Sequence, residues 1–221
     1  MSSDRIWFGQ FSNTALNKPG LRHKYPGRPW EEPYKDHIVP HRDEAQSAHL
    51  KRYNAGLPVA REDLPEASAI YDPKCFARQK HVTGGAMAYL VDEPLATLLS
   101  DFDIGPGGLT PYTIYEADEV TPVAAKWWLL GLGAQKDTLR GDQSQNVEAI
   151  FDGGGEENTT YTPMHPHDDD LAFSTAAHEG ADWWAEKRLL YAFAFSDRLG
   201  SALMENGYGK LFGLKTARVV P

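Results

Sequence analysis

From about residue 81 onward, apolar residues recur first at strand spacing and then at helix spacing. The stretch GAMAYLV (85–91) predicts a strand, and Asp92 is a good N-cap for a helix in which Leu95 and Leu99 lie on one face. Glycines at 105, 107 and 108 end this helix. The next stretch, LTPYTIYEA (109–117), is rich in Thr, Tyr and Ile and predicts a second strand. The pattern therefore predicts a strand–helix–strand unit.

The C-terminal residues repeat this pattern. YAFAF (191–195) predicts a strand, Ser196 a helix cap, and LFGLKTARVV (211–220) the following strand. A shift of 104 residues places Asp92 on Ser196 and Leu99 on Leu203. A strand is also predicted at 126–134, a strand and turn at 147–154, and a short helix within 171–190. These elements predict an α+β fold: a mixed, largely antiparallel sheet with short helices packed on it, and two similar strand–helix–strand units.

The first 80 residues lack such periodicity. The segment 17–42 contains five prolines and two glycines and predicts loop or extended chain. A short helix is expected at 43–56, where Asp43 can cap it and Gly56 can end it. We therefore expect an irregular, proline-rich N-terminal extension over residues 1–80 and an α+β domain over residues 81–221.

Charge divides the chain in the same place. Residues 1–80 carry a balance of +3, whereas residues 81–221 carry 21 Asp and Glu against nine Lys and Arg, a balance of −12. Such a field repels nucleic acid and attracts basic surfaces. We expect neither a secretion signal nor a membrane span, because no suitable apolar run occurs. The single cysteine, Cys75, excludes an internal disulfide and fits a reducing compartment. These features favour a cytoplasmic protein.

One motif suggests metal chemistry. In MHPHDDD (164–170), His165 and His167 are two residues apart, so in extended chain both rings can point the same way, and Asp170 could add an oxygen ligand. A metal-dependent hydrolase is therefore an alternative function. The competing interpretation is an acidic surface loop in which Asp170 caps a helix starting at Leu171. The glycine-rich surroundings favour that interpretation, so we assign no catalytic residue, metal or cofactor.

The ordered part of the sequence resembles a known family. The segments YLVDEPLATLLSDFDIG, LTPYTIYEAD, WWLL and DWWAEKRLLYAFAFSDRLGSALMENGYGKLFGLKTARVV are similar to the immunity proteins of bacterial polymorphic toxin systems, typified by a myxobacterial member. The resemblance covers about residues 81–221. It implies a cytoplasmic protein that binds and neutralises one cognate toxin, with no catalytic residues and no cofactor.

The acidic balance suggests a toxin with a basic surface, whose association complementary charge would accelerate. Since one residue of each tryptophan pair is expected to face outward, Trp183 or Trp184 could anchor the partner. A secretion-system adaptor that docks through 17–42 is a further alternative. The candidate partner-binding residues are Glu156, Glu157, Asp168, Asp169, Asp170, Trp183 and Trp184.

Overall fold

A computed structural model describes residues 5–10, 20–34, 37–39, 44–85, 88–151, 154–190 and 192–221. The strands are β1 (Ile6–Gly9), β2 (Leu21–Lys24), β3 (Glu32–Tyr34), β4 (His37–Val39), β5 (Ala67–Ile70), β6 (Val82–Gly85), β7 (Ala88–Asp92), β8 (Gly108–Tyr115), β9 (Trp127–Gly131), β10 (Gln135–Lys136), β11 (Val147–Phe151), β12 (Thr160–Pro163), β13 (Ala172–Ser174), β14 (Trp183–Glu186), β15 (Phe193–Ser196) and β16 (Lys215–Val220). The α-helices are α1 (Glu44–Asn54), α2 (Pro73–Phe76), α3 (Glu93–Leu99), α4 (Asp197–Glu205) and α5 (Gly209–Phe212).

The chain divides into two compact units. Unit 1 comprises Met1–Ser12, Phe102–Gly105 and Ala134–Pro221, and unit 2 comprises Asn13–Asp101 and Pro106–Gly133. Each unit contains one six-stranded mixed sheet. The α+β class with largely antiparallel sheets and short helices, predicted from the sequence, is confirmed.

Strand β1 lies inside the sheet of unit 1. The strand order is β10-β14-β15-β1-β16-β13, and β1 is antiparallel to both of its neighbours. Trp7 lies opposite Phe195 on one side and Thr216 on the other. The side chains of Ile6 and Phe8 are buried in the hydrophobic core of the unit. The first strand of the chain therefore completes a sheet that the last strands begin.

Unit 2 contains a sheet with the order β2-β5-β8-β9-β7-β6. Five neighbouring strands, β6-β7-β9-β8-β5, make three antiparallel pairs followed by one parallel pair. In unit 1 the strands β14-β15-β1-β16-β13 make the same pairs in the same order. The two predicted strand–helix–strand units, β7-α3-β8 and β15-α4-β16, are thus confirmed as parts of a larger five-stranded repeat.

The caps that start the two repeated helices are also equivalent. The Asp92 carboxylate accepts a hydrogen bond from the Leu95 N–H at 3.1 Å, and the Ser196 hydroxyl accepts one from the Leu199 N–H at 3.2 Å. Both interactions satisfy an N–H that the first turn of a helix leaves without an intrahelical partner. Leu199 is fully buried. Both predicted caps are therefore confirmed.

Helix α4 lies close to β1 because residue 200 is glycine. A Cβ added at Gly200 would overlap the indole of Trp7. The same indole donates a hydrogen bond from its Nε1 to the Asp197 carboxylate at 3.1 Å. Gly200 therefore costs the helix some intrinsic stability but permits this close approach.

Several sequence predictions need correction. The interval 1–80, predicted to be irregular, contains β1, β2, β5 and α2 in its described part, and β3 and β4 form a hairpin within 17–42. The compact units do not follow the boundary expected at residue 80. The strand predicted at 211–220 is shorter, because α5 occupies Gly209–Phe212. The helix predicted at 43–56 is present as α1, whereas its proposed cap, Asp43, lies outside the described residues.

No helix in the described ranges is long and apolar enough to cross a membrane.

Replacing Gly200 with Ala should destabilise the protein, even though alanine is the better helix former. We expect the free energy of unfolding in urea to fall by about 1–3 kcal/mol, because the new methyl group must displace the Trp7 indole. The neighbouring variant Ser201→Ala is the control and should change stability by less than about 0.5 kcal/mol. An unchanged or higher stability of Gly200→Ala would show that α4 does not need this close approach.

Candidate functional site: an exposed acidic hairpin

Strands β11 and β12 form a two-stranded hairpin in unit 1. Their antiparallel register places Glu148 opposite Thr162 and Ala149 opposite Tyr161, and a bulge follows between Ala149 and Phe151. Strand β11 agrees with the strand predicted at 147–154, whereas β12 falls in a stretch for which no regular element was expected.

The hairpin is attached to unit 1 through β12. Tyr161 is buried, its backbone N–H donates to the Arg188 carbonyl at 2.9 Å, and its carbonyl accepts from the Leu190 N–H at 2.8 Å. The Tyr161 ring also packs where residue 141 has no side chain, since a Cβ on Gly141 would overlap it. These contacts fix β12 on the core and leave β11 as the outer strand.

Strand β11 exposes apolar side chains. Ile150 is 53% exposed and Phe151 is 64% exposed, and both are among the large hydrophobic residues that the described surface leaves in water. Glu148 and Ala149 are exposed as well, whereas Val147 is partly buried against the core. We call the exposed residues 148–151 the hairpin surface. A Phe and an Ile side by side on a strand are a candidate contact for a partner protein.

The chain segment that contains the hairpin surface is acidic in sequence. Residues 141–186 contain eleven Asp and Glu and no Lys or Arg. Glu157, one of the predicted partner-binding residues, is exposed near the turn of the hairpin. Glu156 begins the same short 3-10 helix, Glu156–Asn158. The apolar residues of β11 therefore belong to a chain segment of uniform negative charge.

The three predicted aspartates, Asp168 to Asp170, have structural partners. The Asp168 carboxylate accepts from the Thr216 N–H at 2.9 Å, and the Thr216 hydroxyl donates to the Asp169 carboxylate at 3.0 Å. Asp169 has a φ of 65°, a left-handed backbone conformation that aspartate tolerates better than most residues. Asp168 and Asp169 are exposed, so their charges remain at the surface although their oxygens attach the loop to β16.

The buried side chain of Asp170 holds the loop together by hydrogen bonds. It is buried, and its Oδ2 accepts from the His167 N–H at 2.6 Å and from the Asn146 side-chain amide at 2.9 Å. Burial by itself raises the pKa of Asp170, but these hydrogen bonds and the nearby Arg218 charge outweigh it, so the net shift is downward. The helix expected to start at Leu171 is absent, because β13 follows instead. Asp170 is therefore a loop-closing residue and is removed from the partner-binding set.

The alternative metal cluster is not assembled. His165 and His167 are exposed, and the Asp170 oxygen that could join them is engaged by two donors within its own loop. Within the described ranges, no three His, Cys, Asp or Glu side chains are grouped to hold a metal ion.

Both residues of the second tryptophan pair are interior. Trp183 and Trp184 are 0% exposed, so the expectation that one of them faces outward is wrong. Trp183 packs with its ring centroid 5.0 Å from Phe195 and 5.4 Å from Phe212. The Lys136 Nζ lies 3.6 Å from the centroid of the Trp184 ring. Strand β14 is covered on both faces, which alternation along a strand cannot reveal, and neither tryptophan can anchor a partner in this conformation.

Sequence reasoning missed Ile150 and Phe151. A short apolar strand next to a glycine-rich turn was recognised, but an apolar strand usually packs into a core. The sequence feature that could have indicated their exposure is the long acidic segment around β11, because it offers few apolar residues to cover that strand. Comparison with known proteins identifies no relative: no protein-family model and no curated protein matches the sequence.

Replacing Asp170 with Asn should destabilise the loop in a pH-dependent way. At pH 7 we expect the free energy of unfolding to fall by about 1 kcal/mol, because a neutral amide oxygen accepts the hydrogen bonds from the His167 N–H and the Asn146 amide more weakly than the carboxylate oxygen does. A lowered folded-state pKa means that the carboxylate stabilises the fold above about pH 4, the ordinary range of Asp. That contribution is lost as the pH falls through the folded-state pKa.

The measurement is urea unfolding of both proteins between pH 7 and pH 3. The difference between wild type and Asp170→Asn should shrink below about pH 4. The exposed Asp142 provides the control, and Asp142→Asn should change stability by less than about 0.5 kcal/mol. A difference that stays constant with pH would show that the charge of Asp170 does not hold the loop.

Proposed function

We propose that this protein is a cytoplasmic immunity protein that binds and neutralises a cognate bacterial toxin with a basic surface. The observation that carries the proposal is the hairpin surface, where Ile150 and Phe151 are exposed beside Glu148 within an acidic segment. The resemblance of residues 81–221 to immunity proteins points in the same direction. In this proposal the protein acts by occlusion and uses no catalytic residue or cofactor.

Apolar and charged residues have different tasks in such a contact. Burying an exposed Phe or Ile side chain contributes about 1.5–3 kcal/mol, so Ile150 and Phe151 supply affinity. The carboxylates mainly raise the association rate, by attracting a basic partner before contact. A nuclease, or another enzyme with an anionic substrate, carries such a basic surface. Nucleic acid and anionic membranes are repelled by the same charge.

The acidic residues that fit this role are three of the predicted ones, Glu157, Asp168 and Asp169, together with Glu148. Glu148 and Glu157 are exposed, and Asp168 and Asp169 add charge at the surface. Replacing all three aspartates at 168–170 would also open the loop that Asp170 closes, so it would confuse association with folding. Charge variants are therefore best made at Glu148 and Glu157.

The deciding experiment uses the protein encoded beside this one on the same DNA strand. That protein should arrest growth when expressed alone, and co-expression of the chain described here should restore growth. The two proteins should also elute together from a size-exclusion column. The proposal fails if the neighbouring protein is harmless by itself and no complex is recovered.

Alanine at both Ile150 and Phe151 should weaken the complex by about 100-fold or more, because each truncation removes roughly 1.5 kcal/mol of buried apolar contact. Calorimetric titration with the purified toxin measures the change. Stability of the free protein should change little, since both side chains are already in water. Met204 and Val120 are also exposed apolar residues, and the control variants Met204→Ala and Val120→Ala should bind as wild type does. Equal binding by all these variants would place the contact elsewhere.

A further inference from the structure

The hairpin presents a strand edge that no described strand covers. The sheet contains β11 and β12 alone, and the far side of β12 is already paired with residues 188–190. Of the two hairpin strands, β11 is therefore the one whose far side is paired with no residue that the structure describes. We call this side the open edge.

The backbone groups at the open edge follow from the register. The Met164 N–H donates to the Asn146 carbonyl at 2.7 Å, which makes these two a hydrogen-bonded pair. Bonded and non-bonded pairs alternate along an antiparallel ladder, so the next pair, Val147 with Pro163, is non-bonded. Proline agrees with this position, because it has no N–H to donate.

The same alternation makes Ala149 with Tyr161 a non-bonded pair. Tyr161 confirms the assignment independently, since its N–H and carbonyl bond to Arg188 and Leu190 on the side away from β11. Val147 and Ala149 therefore direct their N–H and C=O groups to the open edge. The N–H and C=O groups of these two residues together give four hydrogen-bonding groups for one further strand.

We propose that the open edge of β11 is extended by a strand of the partner protein, an extended segment that carries Lys or Arg beside an apolar residue. This inference rests on the proposed function and specifies how the toxin is held. Backbone hydrogen bonds to Val147 and Ala149 would give the contact its direction, and the side chains of the hairpin surface would give it selectivity.

Charge identifies the chemistry of the incoming strand. Glu148 lies between the two edge-facing residues and is exposed, so a cation on the incoming strand can pair with it across the ladder. Ile150 and Phe151 follow at the end of β11 and favour an apolar residue next to that cation. With eleven acidic residues and no Lys or Arg in 141–186, the segment matches a basic strand and repels an acidic one.

The same features act against a second copy of this chain. Two copies paired through β11 would bring two uniformly acidic segments together, and like charges across a ladder are destabilising. The bulge between Ala149 and Phe151 also limits the length over which two copies could pair continuously. The partner is therefore a different protein.

The test compares two substitutions at residue 149 in complex with the toxin. Ala149→Pro removes one N–H at the open edge without touching a hydrogen bond of the hairpin, and Ala149→Thr keeps the N–H and favours a strand. We expect Ala149→Pro to weaken binding by about tenfold, the effect of losing one hydrogen bond, and Ala149→Thr to stay within about threefold. In the unmodified protein, amide hydrogen exchange at 147 and 149 should slow on binding, which needs no variant to fold.

If the complex forms but both variants bind equally and the two amides stay unprotected, the edge inference is overturned while the proposed function stands. If no toxin complex forms, the proposed function fails and a synthetic peptide decides the inference. The probe is an acetylated ten-residue peptide of alternating Lys and Val. Its binding should be lost with Ala149→Pro, and also when two adjacent central residues of the peptide are N-methylated.

A peptide that fails to bind, or that binds Ala149→Pro and Ala149→Thr equally, overturns the inference in that case. The remaining possible occupant of the open edge is a second copy of this chain, and sedimentation of the free protein tests for that dimer. A dimer that Ala149→Pro dissociates and Ala149→Thr preserves would show that a second copy fills the edge, which contradicts the assignment to a basic partner.

Discussion

The sheet of unit 1 depends on the insertion of β1 between β15 and β16. Both neighbours are antiparallel to β1, so the two C-terminal strands are parallel to each other and make no direct pair. The contact joins distant parts of the chain, as in the hydrogen bond between Trp7 and Asp197, which are 190 residues apart. Closing so long a loop has an entropic cost. That cost is offset only when Ile6 and Phe8 enter the core. Folding of unit 1 therefore requires both ends of the chain.

The repeat explains why such an arrangement is viable. In unit 2 the equivalent central strand is β9, which simply follows β8, whereas in unit 1 the strand in that place comes from the start of the chain. Trp128 lies opposite Val91 as Trp7 lies opposite Phe195, so even the tryptophan recurs in the register. Strands β11 and β12 stand outside the five repeated strands. In the outer strand of that hairpin, Val147 packs against the core, whereas residues 148–151 are exposed.

The sequence predicted the elements that obey local rules. Asp92 and Ser196 cap their helices because a side-chain oxygen, an extended backbone and an apolar residue three positions later suffice to define an N-cap. It could not predict β1, since four residues gain strand structure only from partners at the other end of the chain. It could not separate buried from exposed strands either. One of Trp183 and Trp184 was expected to face outward, but both are covered, whereas Ile150 and Phe151, which lie in a predicted strand, are in water. Burial depends on which elements pack on a strand, and local patterns do not contain that information.

The acidity of residues 141–186 gives the hairpin two properties at once. An open edge with exposed apolar side chains tends to pair with any available strand, including that of another copy, and proteins limit this with charges and bulges at the edge. Here Glu148, the bulge after Ala149 and the absence of Lys and Arg from 141–186 provide such protection. A charge of one sign repels like copies, but it attracts a basic chain with equal strength. In the proposed complex, the charge that disfavours pairing with a second copy would therefore also select the partner that pairs with the edge.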